Sequence, residues 1–233
     1  MRSNEGQVSP LRCGMTNKKG RCCFRAIAHL NGVEESAMVV AVLLGSVRSE
    51  RMGIRAAKWA VAELEKRGHE AVLVDAAELK LPLLDKMWKE IKKDPPAKYA
   101  ELYEKLAPLA KLYARADGFC IVNAEYNHSI SPGMTNLIDY FLEEYFFRPS
   151  AIVCYSATAF GGVRAAMQLR ALLAETGMPS IPSVQPIPRI GDALSEDGVA
   201  LTQELAEKSG KFFDEFEWYM RAMKREREKG LPY

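Results

Sequence analysis

The sequence predicts an α/β protein built on one parallel sheet with helices on both faces. Three observations predict it. Short aliphatic runs alternate with segments of helical periodicity from Met38 to the end of the chain. The runs (MVVAVLL at 38–44, GFCIVN at 118–123, SAIVCY at 150–155) are continuously apolar, as strands covered on both faces are. The resulting order, βαβαβαβαβα, needs crossover connections between parallel strands.

The elements follow in order. The first strand is 38–44. A helix at about 53–67 places Ile54, Ala57, Val61 and Leu64 on one face, with Gly68 as its stop. EAVLVD at 70–75 is the second strand, and LKLPLLD an ordered loop around Pro82. A helix begins after Pro95-Pro96 and runs to about Ala116, with Pro108 as its candidate break. The third strand is 118–123, then a helix at 133–147, a strand at 150–155, a helix at 162–176 and a short strand near 181–187. A long helix over roughly 196–227 closes the chain. The sequence shows no internal repeat, no low-complexity linker and no second domain, so 38–233 reads as one domain.

The bulk numbers exclude several classes. The 233 residues are 48% hydrophobic and 27% charged, ordinary for a soluble globular chain. The net charge of +2 leaves no electrostatic footprint for nucleic acid or an anionic membrane. Residues 1–36 hold six Lys/Arg against three Asp/Glu, so the remainder is near neutral. No apolar run approaches the ~20 residues of a membrane span. The five cysteines, Cys13, Cys22, Cys23, Cys120 and Cys154, form neither a disulfide framework nor a zinc spacing, as expected in a reducing cytosol. Residues 1–36 show no clear period and no apolar signal core, and are expected to be a poorly ordered leader. Two readings of them stay open: an organellar transit segment, or residues ahead of a true start near Met38.

In open α/β sheets the ligand lies beyond the carboxyl ends of the strands, where the winding reverses. For a doubly wound sheet of flavodoxin-like order 2-1-3-4-5, that point falls between strands one and three. The loops there are GSVRSERMG (Gly45–Gly53) and NAEYNHSISPGM (Asn123–Met134), and SATAFGG (Ser156–Gly162) borders the same crevice. The first loop leads into a helix N-terminus, whose free N–H groups and dipole favour a phosphate. Ser46 offers a hydroxyl there, and Arg48 and Arg51 offer forked, charge-assisted donors. The loop fits neither GxxxxGK[ST] nor GxGxxG, so the phosphate is expected to be a mononucleotide's. In the second loop Glu125, Tyr126 and Asn127 suit a heteroaromatic ring with several hydrogen-bonding edges, and His128 reads as a loop histidine. In the third, Gly161-Gly162 opens a helix, where backbone N–H groups can meet a ligand edge.

Taken together, GSVRSERMG, EYNHSISPGMTNLIDY and SATAFGGVRAAMQLR resemble the NADPH-dependent FMN reductase family, a flavodoxin-like group that includes quinone and chromate reductases. The resemblance spans about Met38 to the final helix. It implies FMN held without a covalent bond, with Ser46, Arg48 and Arg51 at its phosphate. It implies Ala124, Glu125, Tyr126 and Asn127 around the isoalloxazine, and Ser156, Phe160, Gly161 and Gly162 at the other edge. It also implies NADPH as hydride donor, a quinone, free flavin or similar acceptor, and a cytoplasmic homodimer or homotetramer with the 133–147 helix as candidate interface. Many members carry proline where this chain has Ala124, which leaves the turn less rigid. Others carry serine and asparagine where it has Arg51 and Gly53. The hydride steps need no side-chain acid, base or nucleophile, so no catalytic residue and no metal ligand is expected.

The main alternative is a flavodoxin-type FMN electron carrier, against which stand the near-neutral body and the arginine-bearing loop. A receiver-like domain would need carboxylates at the end of strand one, where Gly45-Ser46-Val47-Arg48 stands instead.

Overall fold

Apolar runs with no polar side dictate strands buried on both faces, and the sheet shows this. In the computed structural model, which describes residues 36–93 and 96–233 (backbone only at Lys208), five parallel strands lie in the order β2-β1-β3-β4-β5. They are β1 (Val39–Leu44), β2 (Glu70–Asp75), β3 (Gly118–Ala124), β4 (Ser150–Tyr155) and β5 (Ser180–Ile187). The expectation for the leader, and for three of its cysteines, lies outside the described residues.

The helices are α1 (Gly53–Glu65), α2 (Ala76–Leu79), α3 (Trp88–Ile91), α4 (Ala100–Arg115), α5 (Pro132–Asp139), α6 (Val163–Glu175), α7 (Ile190–Ala193) and α8 (Gln203–Arg227). The two-residue period of a strand divides the core into two layers. From β3, Phe119 and Ile121 enter a layer with α3, α4, α5 and α6, while Cys120, Val122 and Ala124 enter the layer beneath α1 and α8. Across that second layer Trp59 of α1 meets Phe213 of α8, ring centroids 5.6 Å apart.

Four expectations change. The helix expected over 133–147 stops at Asp139, and a 3-10 turn follows at Glu143–Tyr145. Tyr140, Phe141 and Tyr145 are drawn into the core individually, and Phe147 takes a left-handed backbone (φ 59°). An unbroken helix would spread these aromatics around its circumference. Most apolar side chains of this segment therefore pack in the protomer's own core, while Leu142, Phe146 and Phe147 stay partly exposed. Second, Pro108 does not break α4: it sits on the solvent side while Leu102, Leu106, Leu109 and Tyr113 hold the helix down. Third, the last helix starts at Gln203, because residues 190–200 form a hook closed by a Leu194–Ala200 bridge. Fourth, two short helices, α2 and α3, flank the Pro82 loop.

β5 ends the sheet, and its sequence explains how. The Ser156 N–H bonds the Ile187 carbonyl, so the polar backbone of Ile187 faces β4. Two-residue alternation then turns Val184 and Pro186 outward, while Pro182 lies in the irregular stretch where the register with β4 shifts. Proline has no N–H to offer there. Arg170 donates to the Pro182 carbonyl and the Gln185 side chain to the Pro186 carbonyl.

Candidate functional site

The carboxyl ends of β1, β3 and β4 open into a crevice of about 700 Å³, within the range of small-molecule sites. Of the eleven residues expected from sequence, nine line it: Ser46, Arg48, Arg51, Ala124, Glu125, Tyr126, Asn127, Ser156 and Phe160. Gly161 and Gly162 do not line it; they are buried behind it and shape the turn into α6.

The first loop carries a clamp. Arg51 is nearly buried and donates to the Ser46 carbonyl (2.7 Å) and to Asp75 Oδ1 (2.6 Å), with a second, short contact to Asp75 Oδ2. Asp75 also caps α2 through the Ala77 N–H (3.0 Å). Arg51 therefore ties the loop after β1 to the end of β2, where the expectation had it holding phosphate. Ser46 is buried, its hydroxyl 3.2 Å from that of Tyr126.

Beside the clamp, donors are left open. Among the described residues the Arg48 side chain has no hydrogen bond or ion pair. The first turn of α1 carries no acidic residue, and Met52 supplies no side-chain cap. Its first N–H groups lack helical partners, this end of the helix dipole is positive, and Met52 just before it lines the crevice. Beneath them lies the hydroxyl of Tyr155, buried and without a hydrogen-bond partner. Burial pushes this phenol up to about 12, with the nearby Ser46 hydroxyl opposing, so Tyr155 is a neutral donor. Gly53 is required at the helix start because a Cβ there would stand 1.9 Å from the Tyr155 oxygen.

The second loop is a two-residue hairpin. Tyr126 and Ser129 exchange both backbone hydrogen bonds (3.1 and 2.9 Å), and Asn127 and His128 both have positive φ (50° and 64°). This is the pattern of a type I′ turn, held here without glycine. Asn123, fully buried at the end of β3, fixes its base. The Asn123 side-chain oxygen accepts from the Ser131 N–H (3.2 Å) and hydroxyl (2.9 Å). The Glu125 carboxylate accepts from the Arg164 N–H at the start of α6 (3.2 Å) and from its guanidinium (3.4 Å). That helix N-terminus is thus neutralised from within, unlike that of α1. His128 is exposed, 4.0 Å from Glu125.

The third loop is zipped to the chain leaving β5. The Arg189 N–H donates to the Thr158 carbonyl (2.9 Å), and the Ile190 N–H to that of Ser156 (3.1 Å). Gly162, at φ 80°, lies where a Cβ would come 2.8 Å from the Tyr155 backbone. The Phe160 ring is 58% exposed, and the Arg164 guanidinium stacks 4.2 Å from its centroid.

Sequence reading missed Asp75, Asn123 and Tyr155. Each stands at the carboxyl end of an apolar strand, and a polar residue closing such a run is the signal that would have found them. Open donors at α1, a buried unpartnered hydroxyl and a flat-walled crevice fit a phosphate joined to an aromatic ring. Among the described residues there is no cluster of His, Cys, Asp or Glu able to hold a metal, and no helix long and apolar enough to cross a membrane.

Known proteins agree with this geometry. Residues 38–190 match the NADPH-dependent FMN reductase family. An NAD(P)H-dependent FMN reductase from Nectria sp., ntnL, is 30% identical over 133 residues, covering 56% of this chain. The match spans 64% of that relative, less than two thirds of its length. Among solved structures, the flavoenzyme NAD(P)H:(acceptor) oxidoreductase FerB from Paracoccus denitrificans superimposes with a TM-score of 0.64 at 20% identity. It covers 80% of this chain and 99% of FerB. An oxidoreductase from Corynebacterium diphtheriae gives 0.53 at 13% identity, covering 80% and 96%. These two likenesses speak to the flavodoxin-like fold. With two thirds of its length matched and the crevice where such a fold binds its ligand, the chain belongs to the NADPH-dependent FMN reductase family.

Proposed function

We propose that the protein is an FMN-dependent oxidoreductase that passes hydride from NADPH to a quinone, a free flavin or a similar flat acceptor. The observation that carries this reading is the set of donors grouped at the crevice: Arg48, without a partner among the described residues, the uncapped first turn of α1, and the hydroxyls of Ser46 and Tyr155 buried behind them. Together they suit the FMN phosphate. Arg51, through Asp75 and the Ser46 carbonyl, holds the loop so that these donors converge. Ala124, Glu125, Tyr126 and Asn127 form the wall for the ring, with the hairpin turn presenting backbone groups. Ser156 and the Phe160–Gly162 turn close the opposite edge.

FMN, when bound, supplies the ability to take up and release a hydride; the chain supplies position. No side chain here must move a proton for the hydride steps, so the residues bind, orient and exclude water. The curated relative is named for NAD(P)H and FMN, which supports the donor and cofactor. The acceptor rests on the shape of the crevice and on family resemblance.

We place the protein in the cytoplasm as a homodimer or homotetramer. Cys120 and Cys154 are free, and burial raises both thiols to about 12, which suits a reducing compartment.

The test is the visible absorption spectrum of the purified protein before and after anaerobic NADPH. A flavin band that bleaches supports the reading. A flavin band that NADPH leaves unchanged would favour an electron carrier. A colourless protein that takes up no added FMN would overturn the phosphate site.

A further inference from the structure

A second cavity, of about 450 Å³, lies along the free edge of β5, between the turn into α6 and helices α7 and α8. Nothing in the flavin reading uses it. It meets the first crevice at one residue, Phe160, which lines both. The ridge between them is the zipped pair of loops, Thr158–Phe160 against Arg189-Ile190. With Arg164 stacked on one face of the Phe160 ring, its exposed remainder is held in place between the two spaces.

The lining selects the occupant. Val184, Leu205 and Phe212 give apolar walls, as an aromatic base needs. Arg189 and Lys211 stand on the lining, and among the described residues neither side chain has an ion-pair partner. Asp192 and Glu204 also line the cavity, so its charge is balanced. A bare anion gains little from such a mixture. A nucleotide gains more, offering phosphates to the cations and ribose hydroxyls to a carboxylate. An extended peptide is disfavoured, because β5 carries Pro182 and Pro186, which have no N–H to pair.

We infer that this cavity seats the adenosine half of the pyridine nucleotide, whose nicotinamide crosses Phe160 into the flavin crevice. The inference rests on the reductase reading above and adds the place where the donor's larger half is held. It assigns Lys211 and Arg189 to the phosphates and Phe212 to the base.

The experiment is calorimetric titration of the full-length, FMN-loaded protein with ADP-ribose, which carries adenosine and both phosphates but no nicotinamide. Native protein is expected to bind it, in competition with NADPH. Lys211→Glu should weaken binding by about tenfold, the worth of one charge-assisted contact. Ser183→Trp, which fills the cavity, should abolish it, and flavin absorbance and melting temperature report whether each variant is folded. Failure of ADP-ribose to bind native protein, or equal binding to native and both variants, would overturn the assignment. Bleaching of FMN by NADPH is scored separately. Bleaching without ADP-ribose binding would leave the reductase reading standing and remove this one alone.

Discussion

The two ends of the sheet use the same kinds of residue to opposite effect. At the amino end, Asp117 is saturated: it accepts the Val39 N–H (3.1 Å), Lys224 (3.0 Å) and Arg227 (3.0 Å). Nearby, Arg148 donates to the carbonyls of Ala114, Ala116 and Phe146, and burial lowers its pKa to about 10. At the carboxyl end, among the described residues, Arg48 is unpaired, the first turn of α1 is uncapped and the Tyr155 hydroxyl is orphaned. Charges that close on one another hold a fold together. Donors left open at a crevice await a ligand; the Tyr113 hydroxyl, equally unpartnered, lies in the core away from it.

That contrast can be broken by mutation, beginning with its strongest limb. Asp117→Ala leaves two cations facing a buried gap and should destabilise the protein by about 3–5 kcal/mol. Urea denaturation measures this, and FMN affinity of the folded fraction should not change. Arg48→Ala should do the reverse. It should weaken FMN by about 1.5–3 kcal/mol, the worth of a charged hydrogen bond, and alter stability by less than about 0.5 kcal/mol. A fluorescence titration beside a melting curve reads both. A large loss of stability would show that Arg48 belongs with the structural charges.

The Arg51–Asp75 clamp lies between the two cases. If Arg51 acts through Asp75, the single variants Arg51→Met and Asp75→Asn should weaken FMN alike, and the double variant little further. The expected coupling is about 1–2 kcal/mol. Independent, additive losses would mean that Arg51 meets phosphate directly. The smallest effect concerns Glu217. Burial alone would raise its pKa, but the nearby His69 ring (3.3 Å) and the Arg67 guanidinium, which donates to it (2.9 Å), outweigh burial and hold it below its ordinary 4.5. A carboxylate depressed in the folded state adds stability above its unfolded pKa and loses it as pH falls through the folded value. Glu217→Gln should therefore flatten the stability curve below about pH 4.5 while leaving FMN binding unchanged, which melting curves across pH would show.

Much of this was readable in the chain. Runs such as VVAVLL and SAIVCY read as strands buried on both faces, and the flavodoxin-like order 2-1-3-4-5 assumed for them is the order of the sheet. The loops that line the crevice were found because they follow those runs. What escaped depends on partners distant in sequence. Arg51 and Asp75 are 24 positions apart and meet only when β1 and β2 pair, so the arginine read as free. The aromatic segment after Met134 reads as helix because apolar spacing does not reveal which layer each ring enters. Residues 196–202 read as the start of the last helix because a hook closed by one bridge has no period of its own to set it apart.

The prolines of β5 bear on how this protein meets its own copies. A sheet edge with open N–H groups is a template on which further strands, including those of misfolded chains, can grow. At the β5 edge that growth is opposed by composition, whatever the concentration of the protein. A neighbour meeting this edge has to be held by helix and loop surfaces, whose side chains can discriminate among partners, and not by extending the sheet there, which would accept almost any strand.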